Sequence, residues 1–155
     1  MESPIQPLIE AYQTHVAEAC ELFRTNLGVT GNILSAWKRH LISIDLPADD
    51  RPPLAGRGVL DSDRSITYSF HGIGCRVMFG TLDVDFDFGP HGRHDGFDAW
   101  RLHRYAQSSK RFRNSFDQQM IQNELDAMEL EHLIAHMDGS LGSHLYYFTS
   151  TLDGD

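Results

Sequence analysis

The chain has only two cysteines in 155 residues, and neither sits in a CxxC pair or at zinc-like spacing. That excludes a disulfide framework and reads as two free thiols, Cys20 and Cys75, in a reducing, cytoplasmic setting. No apolar run approaches the ~20 residues of a membrane span, so no membrane partner is expected. The first residues, MESPIQPLIEAYQ, carry no basic region followed by an apolar stretch, so no secretory signal is visible. Gly-x-Ser-x-Gly, HExxH and a phosphate-cradling glycine loop are all missing. Esterase-type nucleophiles, zinc-protease helices and phosphate cradles therefore have no support. Lys and Arg are lacking over residues 117–155, which hold eight acids.

What is present fits one domain, residues 1–155, with 41% hydrophobic residues to build a core. The net charge of −9 is unevenly spread. Residues 101–116, RLHRYAQSSKRFRNSF, hold five cations (Arg101, Arg104, Lys110, Arg111, Arg113) and no acid. This run reads first as a helix end complementing the acidic C-terminal third, and second as a local anion patch. Over most of its surface such a chain repels nucleic acid, so no nucleic-acid partner is expected.

Apolar residues from Ile5 to Leu27 recur at helical spacing and predict one amphipathic helix over 4–26, stopped by Gly28. Asn32 can cap a short helix over 33–41, and the Pro- and Gly-rich residues 45–58 read as a loop. Residues 65–71, 75–79 and 82–88 are β-branched, aromatic and separated by glycines, which predicts a meander. A turn at Phe79-Gly80 would set Arg76 opposite Asp83, Cys75 opposite Val84 and Val77 opposite Leu82. Asp95 is the expected cap of a helix over 97–107 with Asp98 in its first turn. Ser115 would cap a helix over 116–131, and residues 144–150 read as a strand. The fold class is α+β: a small, mainly antiparallel sheet, made of the meander and the C-terminal strand, covered by N-terminal, middle and C-terminal helices.

The stretch LDVDFDFG, 82–89, raises the functional question. A calcium loop of EF-hand type needs glycine at its sixth position and glutamate at its twelfth. Here Phe88 and His94 hold those places, and the alternating Val84, Phe86 and Phe88 demand an extended strand. Carboxylates at every second strand position stand roughly 7 Å apart. Each neighbouring pair then repels by about 0.6 kcal/mol in water and about 2 kcal/mol at an effective dielectric near 20. Arg76 would offset Asp83. Asp85 and Asp87 would lie over the glycines of HGIG, open to a cation from outside. A divalent metal held by His71, Asp85, Asp87, His91 and His94 is the alternative, with ligand types suited to zinc or manganese. His132 and His136, at i, i+4, would share a helix face. Otherwise no cofactor and no catalytic residue is expected.

The strings YSFHGIGCRVMF and VDFDFGPHGRHDGFDAWRLHRYA resemble a bacterial domain family of unknown function, marked by FHGIGC, VDFDFG and DGFD-W-L segments. The resemblance covers most of the chain and implies no chemistry. Small acidic proteins of this kind are similar in size and charge to immunity proteins of bacterial toxin systems. On that analogy the expectation is a binding protein that covers the basic active site of a cognate toxin or another basic protein. Asp83, Asp85 and Asp87, with Asp95 and Asp98 nearby, are the expected contacts. The wide apolar face of the first helix and the terminal aromatic strand also suit a homodimer.

Overall fold

The computed structural model describes residues 3–29, 33, 56–71, 74–87, 93–138 and 144–152. Residues 34–41 of the expected second helix, most of the 45–58 loop and His91 lie outside the described residues.

Helix α1 spans Gln6–Leu27 and buries Leu8, Ile9, Tyr12, Val16, Ala19 and Phe23 along one stripe. Proline in its first turn removes no intrahelical donor. Gly28 ends it in the left-handed region at φ 68°. Four strands follow: β1 (Arg57–Asp61), β2 (Ile66–His71), β3 (Gly74–Phe79) and β4 (Leu82–Asp87). They form an antiparallel meander in the order β1-β2-β3-β4. β1 begins inside the stretch expected to be a loop. The β3–β4 turn is at Gly80-Thr81, one residue later than the sequence suggests. Gly80 takes φ +64°, which a tight two-residue hairpin turn needs and glycine adopts without a Cβ penalty. The register therefore moves by two: Phe79 pairs Leu82, Val77 pairs Val84, Arg76 pairs Asp85 and Gly74 pairs Asp87. The shift is even, so the apolar and acidic faces survive it.

Helix α2 spans Ala99–Ser108 and α3 spans Gln118–Leu130. Asp98, not Asp95, is the α2 cap, its side chain accepting from the Arg101 amide. The helix starts no earlier because Phe97 is held in a bridge to Tyr146, each amide donating to the other's carbonyl at 3.0 and 2.8 Å. Asp117 caps α3 in place of Ser115, whose amide instead closes a turn onto Phe112. At the far end of α3, His132 adopts φ 62°, while the His132 and Leu133 amides donate to Glu129 and Met128. This Schellman closure redirects the chain into β5 (Ile134–Asp138). It also ends the expected sharing of a helix face by His132 and His136, since His136 stands on a strand. β5 pairs only with β6 (His144–Phe148), so the C-terminal strand belongs to a second, two-stranded sheet and not to the meander. A one-turn helix, α4 (Thr149–Leu152), follows. The architecture is α+β.

One core joins the elements. Tyr12, Phe23, Val77, Val84, Phe86, Leu102, Tyr105, Ile121 and Leu125 are among its buried members. α1 lies on the apolar face of the meander and touches α2. The Tyr12 hydroxyl reaches through this layer to donate to the Asp85 carbonyl. Both cysteines belong to this interior, and burial pushes the Cys20 thiol up to about 12 and Cys75 well above its ordinary value.

The left-handed His132 gives a direct test of the Schellman closure. A side chain in this region is unfavourable by about 1 kcal/mol or more, and glycine is free of that cost. His132→Gly should raise the urea midpoint, by up to about 1 kcal/mol of stability. An unchanged or lower midpoint would contradict the geometry.

Candidate functional site: a buried carboxylate cluster and two acidic clefts

β4 lies at the edge of its sheet, so one row of its backbone groups has no partner strand. An open edge invites pairing with another chain unless something covers it. Here α2 does so. The Asp83 amide donates to Ser108 Oγ at 2.9 Å, and the Asp85 carbonyl accepts from Tyr12 on the other side. Residues 101, 104 and 108 recur at i, i+3 and i+7, which places Arg101, Arg104 and Ser108 on one stripe of α2 facing the edge.

The three strand aspartates are consequently buried, at 7%, 5% and 5% exposure for Asp83, Asp85 and Asp87. Asp83 takes a bidentate pair from Arg76, with Nε–Oδ1 3.1 Å and Nη2–Oδ2 2.7 Å, and a further bond from Arg104 at 2.8 Å. The Arg76–Asp83 pair expected from the sequence exists, but diagonally across the hairpin rather than directly opposite. Asp87 binds Arg101 Nη2 at 2.8 Å. Asp85 meets His71 Nε2 at 3.2 Å and Arg101 Nε at 3.6 Å. Asp98 uses one oxygen to cap α2 and the other to bind Arg101 Nη1. Arg101 thus spans three carboxylates, and its Nε, buried without a hydrogen bond, is left to the longer Asp85 contact.

The open acidic floor expected over Asp85 and Asp87 is therefore filled, from inside the fold. The register shift explains it: Gly74, not Gly72, lies opposite Asp87. A Cβ at Gly74 would stand 2.5 Å from Asp87 Oδ1 and 2.8 Å from the Phe86 carbonyl, so the missing side chain makes room for Asp87 itself. Asp95 is separate from the cluster. It forms a bidentate pair with Arg93 at 3.0 and 2.6 Å, and Arg93 lies over the Tyr147 ring. Of the alternative metal set, His71 and Asp85 form an ion pair. Asp87 is committed to Arg101, and His91 lies outside the described residues. Among the described residues no group of three or more His, Cys, Asp or Glu could hold a metal ion.

The electrostatics follow from burial. Four carboxylates (Asp83, Asp85, Asp87, Asp98) face three guanidinium groups (Arg76, Arg101, Arg104), and the His71 ring meets Asp85. Burial raises the Asp85 carboxyl above its ordinary value, against the opposing pull of His71 and Arg101. Burial works against the Arg101 charge too, but Asp98 and Asp87 outweigh it and hold the guanidinium above its usual value. Such a network is a structural ion cluster: removing one member strands the others in a poorly solvated place.

A second feature lies at the C-terminal end of α3, where two adjoining clefts of about 220 and 490 Å³ share Ser3, Glu131 and Leu133. The smaller also meets Glu124 and Met128, and the larger Phe148 and Thr149. Glu124 accepts from Ser3 Oγ at 2.9 Å, and Thr149 Oγ1 donates to the His132 carbonyl at 2.8 Å, so both walls are tied down. The charged groups lining the clefts, Glu124 and Glu131, are both negative. Leu130, 82% exposed, stands beside them in sequence, with Leu133 also exposed. Sequence reading missed these residues, because the clefts join an N-terminal segment to the turn after α3.

The chain belongs to the DUF6896 family, a domain of unknown function. The match covers residues 5–148 and so includes both the cluster and the walls of the clefts, apart from their outermost residues. No curated protein and no solved structure matches it.

Two measurements test the cluster in this DUF6896 domain. Arg101→Met should lose about 3–5 kcal/mol, because it leaves buried carboxylates uncompensated. An exposed surface pair would lose under about 1 kcal/mol in the same urea titration. The second concerns pH. The folded-state Asp85 carboxyl sits above its ordinary 3.8, so its favourable contribution is present below that value and is lost as pH rises through the raised one. Asp85→Asn should remove this loss, and stability measured across the mildly acidic range should fall less steeply with rising pH than in the wild type. Equal slopes would contradict the assignment.

Proposed function

We propose that this domain is a non-catalytic binding protein whose partner is a basic protein, and that it docks through the acidic clefts rather than through the aspartate strand. The observation that carries this reading is the pairing of carboxylate and apolar surface around Glu131 and Leu133. An apolar wall with carboxylates at its rim suits the aliphatic stem and charged head of a Lys or Arg. The exposed Leu130 and Leu133 supply area that water leaves on contact. Residues 117–155 hold eight acids and no Lys or Arg, and a negative charge of this size would speed encounter with a positive surface.

A toxin domain with a basic active-site cleft is the kind of partner this chemistry fits, and the immunity-type role expected from size and charge takes that form here. The aspartates first expected as contacts have a different place in this reading. Asp83, Asp85, Asp87 and Asp98 hold α2 on the sheet, and Asp95 holds Arg93.

The test is co-expression with the protein encoded by the adjacent open reading frame. A complex and rescue of growth are expected, and Glu124→Lys combined with Glu131→Lys should weaken the complex at least about tenfold while leaving the urea midpoint within about 0.5 kcal/mol. Absence of both complex and rescue would end the proposal. A complex indifferent to the two substitutions would move the interface elsewhere.

A further inference from the structure

The basic run divides in two once its partners are known. Arg101 and Arg104 are spent on the buried aspartates. Lys110, Arg111 and Arg113 lie on the exposed turn between α2 and α3, and among the described residues none of the three has an ion-pair partner. A protein of net charge −9 thus keeps on one turn three cations without an ion pair among the described residues, of which Arg111 lies over the Phe112 ring. The turn itself is fixed. Phe112 is buried and packs against Phe116 at 6.5 Å, the Arg113 amide donates to Ser109, and Asn114 takes φ 69°.

Beside this turn lies a cleft of about 480 Å³, within the size range of small-molecule sites. Arg113 and His103 stand on its two sides, from the turn and from α2. Gln107 and Asn114 add hydrogen-bonding groups, and Phe116 and Met120 add a flat, polarizable surface. The one carboxylate on the wall, Asp117, already accepts from the Met120 amide at 2.8 Å and closes the α3 N-terminus. Asp117 thus occupies the helix end, and Arg113 and His103 are the wall groups able to meet an anion.

We infer that this cleft binds a small organic anion carrying a planar ring, with the anionic group on Arg113 and the ring against Phe116 and Met120. A phosphate or carboxylate matches the fork of a guanidinium, and a ring meets the aromatic and thioether surface. The site is distinct from the acidic clefts, and the proposal stands whether or not those bind a protein.

The probe is adenosine monophosphate titrated into the full chain, followed by backbone amide shifts. Saturable shifts should be confined to residues near 103–120, with an affinity of about 1 mM or tighter. Arg113→Gln, at an exposed position that leaves the fold intact, should weaken binding at least about tenfold, and inorganic phosphate should bind at least about tenfold more weakly than the nucleotide. No saturable shift below roughly 10 mM, or equal affinity in Arg113→Gln, would overturn the site. Equal affinity for phosphate and nucleotide would overturn the ring contact.

Discussion

Arg101 reaching Asp85, Asp87 and Asp98 is the contact on which the rest of the fold depends. Without it the acid row of β4 would be an internal repulsion, the edge of the meander would be open, and α2 would have no polar reason to lie where it does. With it, a strand that alternates apolar and acidic residues is satisfied on both faces. Val84 and Phe86 enter the core beneath α1, and the aspartates meet the arginine stripe of α2. The Tyr12 and Ser108 hydroxyls complete the arrangement by meeting the backbone groups that an edge strand leaves over. Helix, edge and charge cluster are therefore one structural unit.

That unit was half legible in the sequence. The strand period of LDVDFDF, the α1 stripe and the Arg76–Asp83 pairing could be read from spacing and charge. The position of the β3–β4 turn could not, because Phe79-Gly80 and Gly80-Thr81 both offer a glycine and only the left-handed φ distinguishes them. The two α2 arginines that neutralise the row, Arg101 and Arg104, lie 14 and 21 residues from their partners Asp87 and Asp83, within a basic run that reads equally well as a solvated helix end. The stripe of Arg101, Arg104 and Ser108 was the available signal, and it acquires meaning only once α2 is known to lie along β4. β5 was missed for another reason. IAHMD buries little besides Ile134 and has no strong strand composition, so its state is set by the left-handed turn at His132 and by pairing to β6.

Internal neutralisation also redistributes the surface. The central acids and two of the five clustered cations cancel in the interior. Around α3 the described surface is segregated: negative and partly apolar at its C-terminal end, positive on the turn before it. The acidic strand itself is buried and paired within the fold. In the proposed reading, recognition falls to the clefts at the two ends of α3; the acidic pair is walled by segments distant in sequence, the other by residues 103–120 alone.

α2 seals the β4 edge and keeps the aspartate row out of solvent. Native-state hydrogen exchange at the Asp83 amide, which donates to Ser108 across that seam, tests it most directly. The account predicts an opening free energy close to that of interior ladder amides such as Val77 and Val84. Exchange through a low-energy local opening, far below global unfolding, would contradict it and would restore the row as an accessible acidic surface.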